Sequence, residues 1–124
     1  MNKIVWLLLS SIISLYALDF HSYEEGLKLQ QKSGKILMLD VMRTNCHYCK
    51  DMERKVFDNK NMSAWLNKRF IPVKLNLDFD TLPLGIHVYF TPTFFFVNKE
   101  HKIIKKVPGS WGIQDFKDLT KNIK

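Results

Sequence analysis

The sequence predicts an α/β fold, with a central mixed β-sheet flanked by helices on both faces. Three observations predict it. A continuous apolar run, Ile36–Met42, has the length of a strand buried on both sides. Two β-prone runs, Thr93–Val97 and residues 103–107, flank the turn-like residues 98–101, as a hairpin would. Segments with helical spacing of apolar residues precede, separate and follow these runs, so a βαβ crossover meets a terminal hairpin.

Taken in order, residues 1–17 open with Lys3 and continue as an apolar stretch from Ile4 to Ala17. A membrane-spanning helix needs about 20 apolar residues, and this stretch is nearer the length of a signal-peptide core. Residues 1–17 therefore read as a signal peptide, with an uncleaved anchor as the alternative, and 18–124 as the domain. Residues 23–32 carry Tyr23 and Leu27 among Glu, Lys and Gln, and Ser33-Gly34 closes that helix. After the strand at 36–42, residues 46–57 read as a helix with Cys49, Met52, Val56 and Phe57 on its apolar side. A further helical piece covers 61–70, a second buried strand 70–77, and a turn-rich stretch 78–85. Pro108-Gly109 ends the hairpin, and residues 113–123 form a last helix with Phe116, Leu119 and Ile123 on one face. The predicted order is α β α α β β β α.

The chain has 124 residues, 46% of them hydrophobic and 13% aromatic, enough for a packed core and too many for a disordered chain. The net charge of +7 is spread as scattered lysines, with arginine only at Arg43, Arg54 and Arg69. Without a basic block or aromatic interleaving, this describes a solvated basic surface, and nucleic acid is not expected as a partner.

The two cysteines, Cys46 and Cys49, stand three positions apart at the start of a predicted helix. A thiol there meets unpaired backbone N–H groups and the positive end of the helix dipole, which favour the thiolate that attacks disulfides. Cys49 follows by nearly one turn and is placed to resolve the mixed disulfide. Cys46 is thus the expected nucleophile, ionised and within reach of solvent. A zinc half-site and an inert structural disulfide are the other readings of the pair. Zinc would need two more ligands, and His21, His47, His87 and His101 are scattered singly; no metal or other cofactor is expected. A bridge between near neighbours closes little loop and stabilises little. Asp40 lies six residues before Cys46 inside the apolar run, where desolvation would raise its pKa and make it a proton acceptor near neutrality. The alternative places Asp40 at the exposed end of its strand.

These features resemble the thioredoxin superfamily over almost the whole expected domain. Asp40 matches the family's buried acid, which assists deprotonation of the resolving cysteine. Thr91-Pro92, just before the strand Thr93–Val97, stands where the family has a cis-proline facing the cysteines, and there the preceding backbone pairs with bound substrate. Gly109 matches a glycine that lets the backbone pass near the site. Residues 49–57 are similar to exported thioredoxin-like proteins such as the carboxy-terminal domain of the bacterial transmembrane electron transporter for disulfides. The resemblance implies exchange of two electrons with cysteine pairs of exported proteins, a periplasmic setting, a membrane electron donor, and a preference for reduction. A thioredoxin-like binding module, acting as chaperone or metal carrier, is the alternative.

Two departures bear on direction. Asn45 replaces the family's Trp before the first cysteine, and His47-Tyr48 replaces Gly-Pro between the two. A His there can stabilise the Cys46 thiolate and make the couple more oxidising. His47 and Tyr48 are therefore candidate substrate-facing residues together with Thr91 and Pro92.

Overall fold

Helix α1 (Tyr23–Ser33) begins where the Ser22 hydroxyl accepts a hydrogen bond from the Glu25 N–H, and it stops at Gly34, whose left-handed φ of 70° costs a residue without a Cβ least. The structure, a computed structural model, describes residues 17–124. The proposed leader thus lies, Ala17 apart, outside the described residues. Strand β1 (Ile36–Met42) follows, then α2 (His47–Met52), a π-helical turn (Glu53–Phe57), α3 (Lys60–Arg69), β2 (Phe70–Asn76), β3 (Thr93–Val97), β4 (Ile103–Pro108) and α4 (Ile113–Thr120).

The sheet order is β2-β1-β3-β4, with β1 parallel to β2 and antiparallel to β3, and β3 antiparallel to β4. It is the mixed sheet that a crossover joined to a hairpin requires. Pro72 is tolerated because β2 lies at an edge; its carbonyl accepts the His21 N–H at 2.9 Å, and the Lys74 N–H reaches the His21 carbonyl at 3.2 Å. That short pairing of His21 with Val73 lies in a stretch with no strand-like alternation.

Each strand has two faces because successive side chains alternate. Met38, Phe94, Phe96 and Val107 pack against Met52, Val56 and Phe57, with Leu66 of α3 and Phe116 of α4. Leu37, Leu39, Val41, Phe95 and Val97 pack with Val73 and Leu75 beneath α1 and the β2–β3 connection. By alternation Asp40 shares the side of Met38, beneath the cysteine helix. That fixes where its carboxyl goes.

Two expected boundaries differ. The single helix across 46–57 is α2 followed by the wider π-turn, in which Asp58 N–H bonds to the Glu53 carbonyl at 2.8 Å. The turn carries Val56 and Phe57, adjacent residues that are both buried. Helix α4 ends at Thr120, not 123. There the buried Thr120 hydroxyl donates to the Phe116 carbonyl at 2.8 Å, while the Arg69 guanidinium takes the Lys121 carbonyl and, at 3.4 Å, that of Ile123.

Candidate active site

Beyond β1 the chain must turn sharply to start α2. The Thr44 N–H donates to the Asp78 carboxylate at 3.0 Å, and Asn76 Nδ2 donates to Thr44 Oγ1 at 3.3 Å, so the turn is pinned to the end of β2. Asn45 takes a φ of 55°, a left-handed conformation that Asn tolerates better than most side chains do. Cys46 then caps α2 with extended backbone angles, its sulfur accepting the Cys49 N–H at 3.2 Å. Asn45 where the family has Trp is thus a turn residue.

Cys46 and Cys49 are joined in a disulfide, with their Cα atoms 5.2 Å apart. A second donor reaches Cys46 from across the site: Thr91 Oγ1 lies 3.1 Å from its sulfur, and the Thr91 carbonyl oxygen 3.5 Å. The Thr91–Pro92 peptide bond is cis, and the Pro92 carbonyl accepts the Gly109 N–H at 2.8 Å. Cys46, at 4% exposure, and Cys49, at 8%, are both more enclosed than the sequence reading of Cys46 expects. Thr91 touches the Cys46 sulfur from the opposite loop. Among the described residues no three His, Cys, Asp or Glu side chains come within range of a common metal ion.

Asp40 is buried, with 4% of its surface exposed and no hydrogen-bond partner for Oδ1 among the described residues. It sits inside β1, opposite Lys74 on β2 and Phe94 on β3, and not at an exposed strand end. Burial pushes its pKa from 3.8 up to about 7; the Lys74 ammonium pulls it down and the Glu53 carboxylate adds to the rise. Lys74 and Glu53 are themselves paired, Nζ to Oε1 at 2.9 Å. Both escape a reading of the sequence for motifs. A lysine inside an otherwise apolar strand was the available signal for Lys74, and Glu53 had none, because its relation to Asp40 crosses three elements.

His47 and Tyr48 point outward, stacked edge to face with ring centroids 5.7 Å apart. His47 Nε2 lies 3.2 Å from Asp51 Oδ2, and Asp51 also pairs with Arg54. The structure brings Cys46, Cys49, Thr91 and Pro92 together, sets Asp40 beneath the cysteine helix, and leaves His47 and Tyr48 on the adjoining surface.

The family model for the thioredoxin-like domain matches residues 23–124. The chain belongs to the thioredoxin-like family. Among solved structures, this thioredoxin-like chain is similar to a thioredoxin from Thermus thermophilus at 29% identity, with a TM-score of 0.70 over 85% of this chain and 86% of that one. The carboxy-terminal domain of Neisseria meningitidis DsbD, in its oxidised form, shares the fold at 15% identity and a TM-score of 0.62, over 86% of this chain and 100% of that one. A protein of Archaeoglobus fulgidus is 27% identical over 75 residues, or 60% of this chain. The match spans somewhat over half of that relative, 58% of its length. With this family, this fold and a bonded Cys-x-x-Cys pair, the thioredoxin-like domain is a protein-disulfide oxidoreductase: it can take up or release two electrons as its own disulfide opens and closes.

Proposed function

We propose that the chain reduces disulfides of exported proteins in the periplasm, with Cys46 as the attacking sulfur. The observation that carries Cys46 as the attacking sulfur, whichever way electrons flow, is the convergence on it of two donors, the Thr91 hydroxyl at 3.1 Å and the Cys49 N–H at 3.2 Å. Hydrogen bonds to an ionised acceptor are about twice as strong as those to a neutral one, so such donors favour a thiolate over a disulfide sulfur.

In the reduced protein the Cys46 thiolate attacks one sulfur of a substrate disulfide. A mixed disulfide forms, and the first substrate thiolate leaves. Cys49 then gives its proton to Asp40 and attacks Cys46, releasing the second substrate thiolate and closing the Cys46–Cys49 bond. The substrate gains two electrons and the chain loses two. The Asp40 carboxyl, with a pKa near 7, can accept and return that proton at neutral pH. A membrane-bound dithiol donor would restore the reduced form, and the backbone at Thr91-Pro92 holds the substrate chain, with His47 and Tyr48 bordering it.

Three observations support the finer points. Export rests on Lys3 followed by the apolar stretch from Ile4 to Ala17. The reducing direction rests on the likeness of residues 49–57 to the transporter domain. It is also supported by His47, which is paired with Asp51 and leaves Thr91 and the Cys49 N–H as donors to the sulfur. A glutathione titration tests the direction: a potential near about −270 mV is expected, and one near about −120 mV would make the protein an oxidant. Failure of the reduced protein to reduce insulin would remove the enzyme reading itself.

A further inference from the structure

We propose that Tyr89 and Phe90 select the substrate. With Tyr48 and Trp111 they form an aromatic rim beside Cys46, fitted to an extended polypeptide segment that carries a bulky apolar side chain next to its disulfide-bonded cysteine. This rests on the reading above and adds the kind of substrate.

Tyr89 is 91% exposed and Phe90 57%, although burial of an aromatic ring is ordinarily favourable. Exposed apolar side chains scattered singly are ordinary. These are not scattered. Both directly precede Thr91, whose hydroxyl touches the Cys46 sulfur. The Phe90 carbonyl accepts the Thr93 hydroxyl at 2.8 Å, and Thr93 is buried, so the ring is presented from a held backbone.

The other two aromatics reach the same place by different routes. Tyr48 is two residues beyond Cys46 and exposed. Trp111 is fastened to the same helix and to the end of β4: its N–H lies 3.5 Å from the sulfur of Met52 in α2, its indole N–H donates to the Pro108 carbonyl at 2.9 Å, and neighbouring Gly109 bonds to Pro92. Four exposed aromatic side chains thus stand on the three segments that meet at the enclosed Cys46 sulfur. A cluster of exposed apolar groups of this kind marks a binding surface. It offers rings, not charges, so the complementary partner is an apolar side chain. A small polar disulfide such as glutathione disulfide would gain nothing from it.

The test compares two cystine-linked peptides of equal length and charge, one with Phe or Leu beside the cysteine and the other with Gly and Ser. The rate constant with which pre-reduced protein reduces each is measured for the wild type, the Tyr89→Ser single variant and the Tyr89→Ser/Phe90→Ser double variant, with glutathione disulfide as a third oxidant. Wild type is expected to favour the apolar peptide about tenfold, and the double variant to fall within about twofold of no preference. Because the preference is a ratio within each protein, loss of active material does not imitate the effect. Equal rates for both peptides in wild type, or an undiminished preference in the double variant, would overturn the assignment while leaving the redox reading intact. Absence of reaction with all three oxidants would overturn the redox reading, and this proposal with it.

Discussion

Asp40 holds a proton in the folded chain that the unfolded chain releases far more readily. Its pKa is 3.8 ordinarily and about 7 when folded, because burial disfavours the carboxylate. Between these values the folded state binds more protons than the unfolded one. Stability from this group is therefore complete below about pH 4 and declines until pH 7, above which both states are ionised. Asp40→Asn should accordingly stabilise the oxidised protein above pH 7 by on the order of 4 kcal/mol, and the gain should vanish toward pH 4. Denaturant titrations at both ends of that range check it; a gain independent of pH would mean that the acid is not the source. If Asp40 accepts the Cys49 proton as proposed, the same variant should also slow closure of the Cys46–Cys49 bond. Thr91 is the second residue with a separable effect. Thr91→Val keeps the side-chain shape and deletes the donor to Cys46. The reduced form should lose about 1 kcal/mol relative to the oxidised one, lowering the potential by on the order of 20 mV. An unchanged potential would show that the hydroxyl does not serve the sulfur.

Helix α1 packs on β2 at a distance that only a glycine permits. A Cβ at Gly26 would stand 2.5 Å from Cγ2 of Val73, and that valine is fully buried and stiff at χ1. Replacing an interior helical glycine by alanine ordinarily gains about 1 kcal/mol. Here Gly26→Ala should instead destabilise the protein, by about 1–3 kcal/mol, through overpacking. A raised melting temperature would contradict that packing. Elements built on strong periodicity could be read in the chain itself: β1 as an unbroken apolar run, and β3 and β4 as β-prone runs around a polar turn. The missed boundaries have tertiary causes. Nothing between Met52 and Asp58 announces a π-turn, and the last turn of α4 is replaced by Arg69 arriving from another helix to take its carbonyls. His21 joins the sheet through two backbone hydrogen bonds that leave no trace in side-chain pattern.

Across the whole molecule, the site forms where the cysteine turn after β1 meets the loop that enters β3. Cys46, Cys49 and Asp40 could be found from spacing because one βα unit carries all three. Thr91-Pro92 could be found only by resemblance, since no local rule brings residue 91 to residue 46. Glu53 and Lys74 required the fold, for their relation to Asp40 is made by sheet register and by the turn that follows α2. In the proposed mechanism the two cysteines have separate roles, although both are nearly enclosed. Cys46 receives the donors, and Cys49 follows it within the helix. The most direct test replaces the resolving cysteine, Cys49→Ser, and exposes the reduced protein to a disulfide-bonded protein substrate. A mixed disulfide located by mass spectrometry on Cys46, released by dithiothreitol and absent from Cys46→Ser, is the expected result. No adduct on Cys46, or equal capture through Cys49 when Cys46 is replaced, would contradict the account.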